Sequence, residues 1–192
     1  TTVTPASPSD GDIYWVPSSG VTGAWNSNEN KIAAYYDGAW YYYSGKQGFV
    51  AYVQDQGVSM NYDTTTGWSQ SLAKSPFGAT FNAKVTEEEL TLSGATTTST
   101  IQIPNRAIVQ GVGTRVTQAI TGASSYDLGD GTTANKFGGS LGINLGDSNV
   151  GVIGPTAYYS DTNIVATANG SNFTGGKIRI AIYYLEFTIS TS

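Results

Sequence analysis

Two carboxylates three residues apart among glycines, in Tyr126-Asp127-Leu128-Gly129-Asp130-Gly131, are the first place where this chain could do chemistry. An oxygen-rich loop can hold Ca2+, which takes six to eight oxygen ligands. The segment lacks the D-x-[DN]-x-[DN]-G spacing and closing Glu of a calcium loop. The simpler account is a turn, since Asp and Gly tolerate left-handed geometry. Asp147 and Asp161 lie in similar surroundings. A glycosidase needs two carboxyl groups about 5–9.5 Å apart across a sugar, a demand that Asp127, Asp130 and Asp161 meet only if folding joins them. The second place is Pro155-Thr156-Ala157-Tyr158-Tyr159-Ser160-Asp161-Thr162-Asn163, read as a long connection with two Tyr beside Asp and Asn. Aromatic faces stack on sugar C–H surfaces while carboxylates and amides bond the hydroxyls, and loops on a rigid β scaffold are the usual mount. The glycan-binding candidates are therefore Tyr126, Asp127, Asp130, Tyr158, Tyr159, Asp161 and Asn163. No catalytic residue, metal ligand or cofactor is assigned, and the chain reads as a binding protein rather than an enzyme.

Composition narrows the chemistry further. The 192 residues contain no His and no Cys. The commonest general base and transition-metal ligand are thus missing, and so are thiol nucleophiles, disulfides and zinc fingers. Ser and Thr abound, but without His their activation would rest on Lys, and no spacing favours one of Lys136, Lys177 or the others. Charged residues make up 12% of the chain, about half the roughly 25% of an ordinary domain, so its surface is neutral and hydroxyl-rich. A net charge of −5 argues against a surface that tracks phosphates, and nucleic acid is not an expected partner. No apolar run approaches the roughly 20 residues of a membrane-spanning helix, so membrane insertion is not expected. Thr1-Thr2-Val3-Thr4-Pro5 has neither an initiator Met nor a signal pattern, which points to a processed chain or a piece of a longer product. Asn169-Gly170-Ser171 and Asn172-Phe173-Thr174 match the glycosylation pattern.

The elements that must position these groups read as β throughout. All four Trp and eight of the 13 Tyr lie in the first 70 residues, whereas the second half is rich in Ile, Val, Thr and Gly. Such a shift marks a domain boundary. The expected organisation is a small antiparallel, aromatic-rich β domain over 1–70, a linker over 71–84, and a β-sandwich of jelly-roll type over 85–192. In the first domain, Asp37-Gly38 between two aromatic runs signals a tight hairpin, because its turn needs positive φ at both residues. Its Trp and Tyr are expected on one packed face. In the second, Ile178, Ile180 and Ile182 alternate with Lys177, Arg179 and Tyr183, the period of a half-buried strand. Residues 101–103, 107–112, 115–120, 164–168 and 185–189 are also strand-like, and Pro104 belongs at a strand end. Glu87-Glu88-Glu89-Leu90 reads as a brief, solvated helical turn.

Several stretches carry a family likeness. Pro5-Ala6-Ser7-Pro8-Ser9-Asp10-Gly11-Asp12-Ile13-Tyr14, then Gly23-Ala24-Trp25, Lys31-Ile32-Ala33, Asp37-Gly38-Ala39-Trp40 and Gly48-Phe49, resemble an uncharacterised domain frequent in structural proteins of tailed phages, prophages and gene transfer agents of alphaproteobacteria. Leu92-Ser93-Gly94-Ala95-Thr96, Ile103-Pro104-Asn105-Arg106-Ala107-Ile108-Val109, Arg115-Val116, Ile120-Thr121-Gly122-Ala123, Pro155-Thr156-Ala157-Tyr158-Tyr159 and the run from Gly170 to Arg179 look like its companion module. The resemblance implies a head spike, tail fibre or related appendage on the virion surface, attached to host polysaccharide and to other virion proteins. Cyclic symmetry would match a particle axis and multiply weak sugar affinity. A homotrimer is expected, with a pentamer at a capsid vertex as the alternative. The competing readings are a decoration or adaptor subunit that contacts only virion proteins, and a polysaccharide depolymerase.

Overall fold

The computed structural model describes residues 2–55 and 57–190. The chain divides into two compact units, Thr1–Ser71 and Leu72–Ser192. Both are built from antiparallel β-strands, and a single 3-10 turn at Gly23–Trp25 is the only helical element among the described residues.

In the first unit, β1 (Ile13–Trp15), β2 (Lys31–Tyr36) and β3 (Ala39–Ser44) form one sheet, and β4 (Val50–Val53), β5 (Val58–Asp63) and β6 (Gly67–Ser69) another. Asp37 and Gly38 close the β2–β3 hairpin with φ of 51° and 78°, the left-handed pair that the Asp-Gly signal demands. The aromatic residues do not share one face. Trp25 leaves the strands altogether and fills the core with Val16, Val21 and Ala33, flanked by Tyr14, Trp40 and Tyr42. Its ring centroid lies 5.7 Å from Tyr14 and 6.1 Å from Trp40. Tyr36, Tyr41, Tyr43 and Tyr52 are exposed instead, because strand alternation sends every second side chain outward.

The second unit contains β7 (Ala73–Lys74), β8 (Thr80–Thr91), β9 (Thr96–Ile103), β10 (Ile108–Thr121), β11 (Ser125–Gly129), β12 (Gly138–Leu141), β13 (Ser148–Ala157), β14 (Thr162–Asn169) and β15 (Gly175–Thr188). Pairing is nested: β8 with β15, β9 with β14, β10 with β13 and β11 with β12. The two sheets run β13-β10-β15-β8-β7 and β12-β11-β14-β9. Nested pairing of eight strands into two facing sheets is the jelly roll. Val109, Val112 and Val116 of β10, with Ile178, Ile180 and Ile182 of β15, turn inward onto Tyr126, Leu128, Phe137 and Ile164. Pro104 follows the last residue of β9, where its missing N–H costs no ladder bond.

Three further sequence expectations change. Residues 71–84 are not a free linker, since β7 and the start of β8 lie there, paired from Thr80 to Lys84 with β15. Glu87-Glu88-Glu89-Leu90 is strand rather than helical turn. Cross-strand pairing fixes it: Glu89 meets Lys177 at 3.3 Å, while Glu88 accepts from the Thr100 and Ile101 amides at 2.8 and 3.0 Å. The long connection expected over 155–163 shrinks to 158–161, because Pro155 belongs to β13 and Thr162 to β14.

Candidate functional site

The connections β9–β10, β11–β12 and β13–β14 gather at one end of the jelly roll, and Asp130 ties two of them together. At the end of β11, Gly129 has no room for a side chain, because a Cβ there would run into the Thr133 and Ala134 carbonyls. The next segment folds back tightly, and Phe137 donates its N–H to Leu128 O at 2.8 Å. Asp130 is left inside the fold: Oδ1 accepts from the Thr132 and Thr133 amides at 3.1 and 2.9 Å, and Oδ2 accepts from Lys136 Nζ at 2.8 Å and Tyr158 Oη at 3.1 Å. The Lys136 ammonium also sits 4.9 Å from the Tyr158 ring centre, within cation–π range. Burial pushes the Asp130 carboxyl up, but Lys136 and the two loop amides outweigh it and hold it below the usual carboxylate value. Asp130, with Tyr158, holds Lys136 above the usual lysine value. Burial raises the Tyr158 phenol.

The other candidates are placed as follows. Asp161 Oδ1 accepts the Asn105 N–H at 2.8 Å, bracing the β9–β10 connection. Asn163 accepts from Gln102 at 3.0 Å and donates to Ser99 O at 2.7 Å. Tyr126 is buried, its hydroxyl 3.0 Å from Thr114, and burial raises its phenol. Asp127 Oδ1 accepts from Ser140 N at 2.7 Å and Asn169 Nδ2 at 2.8 Å. Asp127 lies within β11 whereas Asp130 falls just past its end, and the two serve different neighbours. Among the described residues no group of three or more His, Cys, Asp or Glu side chains could hold a metal ion. Of the candidates, Tyr159 projects into solvent, 83% exposed, and Asp161 is exposed as well.

The feature that residue-by-residue reading passed over is the outer face of the β13-β10-β15-β8 sheet. Register places Val152, Gly111, Tyr183 and Val85 in one row, and Val150, Gly113, Ala181 and Glu87 in the next. Val150, Val152 and Val85 are 67%, 74% and 58% exposed. Tyr183 lies over Gly113, and Phe187 stacks on Phe81 at 5.4 Å. A third row, Ser148, Arg115, Arg179 and Glu89, carries both signs of charge along one border. The signal was present in Val150-Gly151-Val152, where alternate positions are apolar and no polar partner intervenes.

A family model described as "Protein of unknown function (DUF2793)" matches residues 1–69, within the first unit. No curated protein matches the chain. Among solved structures, a chain of the "Cyanophage Pam1 capsid asymmetric unit" is similar at 18% identity and a TM-score of 0.41, with 64% of this chain and 96% of that chain covered.

Proposed function

We propose that this chain is a non-catalytic structural subunit of a phage virion appendage, a fibre or spike, which self-associates and attaches to host-surface glycan. The observation that carries the reading is the apolar outer face of the β13-β10-β15-β8 sheet. Val85, Val150, Val152, Tyr183, Phe187 and their neighbours expose on the order of 500 Å² in one strip, at the upper end of patches on ordinary monomers and near the ~800 Å² that each partner buries in a standard interface. The occupant is a second copy of the chain. The border row carries Arg115, Arg179 and Glu89, both signs together, so a symmetry-related copy can pair charge with charge. A cyclic homotrimer is the assembly proposed, with a pentamer as the alternative.

The non-catalytic part of the reading draws support from Asp130. A glycosidase acid needs a raised pKa, whereas Lys136 and the loop amides move Asp130 the other way. The virion assignment draws on the residue-level resemblance. The jelly roll adds only analogy, since that fold serves capsids, lectins and enzymes alike.

Light scattering on the purified chain tests the assembly. The expected mass is a multiple of 20.1 kDa, and a monomer at micromolar concentration would refute it. Imaging of a particle carrying the subunit tests the virion placement, and adsorption of that particle to host polysaccharide tests the attachment. A second reading, a decoration subunit meeting only other virion proteins, is favoured by one observation. The side chains of Asp130, Tyr158, Asp161 and Asn163 already spend hydrogen bonds on the fold. Burial of Tyr159 between subunits in the particle would select it.

A further inference from the structure

The first unit holds a groove that the assembly reading leaves unused. Its floor is the outer face of the β1-β2-β3 sheet. Register sets Ile13, Ala34 and Tyr41 in one row across that face, and Trp15, Ile32 and Tyr43 in the next. The intervening Tyr14, Ala33 and Tyr42 turn the other way, onto the Trp25 core. β4 and the residues just after it form the facing wall, and the cavity between has a volume of about 770 Å³, within the ~300–1,000 Å³ usual for small-ligand sites.

The lining has a definite chemical character. Its charged and amide side chains are Asp12, Gln54 and Asp55, and it includes no Lys or Arg. Trp15 is also in the lining. Tyr52 on the wall is 66% exposed, and Tyr41 and Tyr43 extend the floor rows as exposed rings. Core packing explains Trp25, Trp40 and Tyr42, but not aromatic rings left in solvent beside a cavity.

An aromatic face, carboxylate acceptors and an amide around a pocket of this size fit a sugar. Two carboxylates without a cation in the lining disfavour uronates, sialic acids and phosphorylated sugars by like-charge repulsion. β1 and β4 each leave one edge unpaired, so an added peptide strand is the other conceivable occupant. Main-chain pairing has no use for the carboxylates and amide, which favours the sugar.

We propose that this groove is a binding site for a neutral oligosaccharide, with Tyr52 stacking on a sugar face and Asp12 and Asp55 accepting from hydroxyls. The proposal deepens the attachment reading by naming the sugar class and its seat, and rests on that reading only in that a glycan is met at all.

The full chain is applied to an array of neutral hexose oligomers and their uronate counterparts, and the strongest oligomer is then titrated by calorimetry. Neutral oligomers are expected to bind, and uronates to stay near background. Tyr52→Ala and Asp55→Asn, both at exposed positions that spare the core, are each expected to weaken binding by about tenfold, whereas Tyr159→Ala in the second unit stays within about twofold. Loss of binding in Tyr159→Ala with retention in Tyr52→Ala and Asp55→Asn would overturn the groove and leave glycan attachment standing. A silent array beside particles that still adsorb to host polysaccharide would do the same. A silent array and non-adsorbing particles together would remove both. Preference for uronates, or displacement of the sugar by an extended peptide, would also overturn the proposal.

Discussion

Replacing Asp130 with Asn isolates what the buried carboxylate contributes to the loop end of the jelly roll. The substitution keeps the shape and leaves one oxygen to accept from the Thr132 and Thr133 amides. It puts an NH2 group, or a neutral oxygen, where Lys136 and Tyr158 now donate. A hydrogen bond to a charged group is worth about 1.5–3 kcal/mol. The Asp130 side chain is only 5% exposed, but that of Lys136 is 30% exposed and can rehydrate. The lower half of the range therefore applies, about 2 kcal/mol. For a unit the size of Leu72–Ser192, that corresponds to a fall in Tm of about 8 °C. All four Trp lie before residue 70, so tryptophan fluorescence follows the first unit while far-UV circular dichroism follows both. The variant is expected to shift the circular dichroism transition and leave the fluorescence transition in place, at one fixed protein concentration. A cycle with Lys136→Met should give a coupling of about 1–2 kcal/mol. A Tm change under about 2 °C, or a coupling near zero, would refute the assignment of Asp130 as the electrostatic tie of these loops.

The same pair predicts a pH profile. Asp130 titrates below its usual value, so its contribution is full above about pH 4 and is lost as pH falls through the lowered folded value; the acid limb of a Tm–pH curve should be shallower in Asp130→Asn. Lys136 titrates above its usual value, so its contribution is full below about pH 10 and fades as pH rises through the raised folded value, with no slope expected near neutrality. Gly129→Ala would drive a methyl group into the Thr133 and Ala134 carbonyls, and should destabilise the second unit by more than about 3 kcal/mol in urea titration. Val152→Asp, at an exposed position, should leave Tm at low concentration within about 2 °C yet convert the assembly to monomer in light scattering.

The amino-acid order alone determined the all-β character and, where alternation is clean, which face of a strand is buried. Alternation in residues 177–183 follows from the two-residue repeat of a strand, and β15 buries Ile178, Ile180 and Ile182 as that repeat requires. Asp37-Gly38 needed only local backbone sterics to specify its turn. Local rules failed where pairing partners are distant. Glu87-Glu88-Glu89 has helix-favouring residues, yet β15, some 90 residues away, supplies the hydrogen bonds and counter-charges that make it strand. Asp127 and Asp130 look equivalent in sequence, but the fold gives one an Asn and a neighbouring strand's amide, and the other a lysine six residues on and a tyrosine from another loop. Tyr158 and Tyr159 are likewise adjacent, and only the tertiary structure sends one inward to Asp130 and the other into solvent. The apolar outer face and the aromatic groove lie further still from sequence reach. Both are assembled from residues on separate strands, and cross-strand register, set by the whole sheet, decides which side chains share a surface.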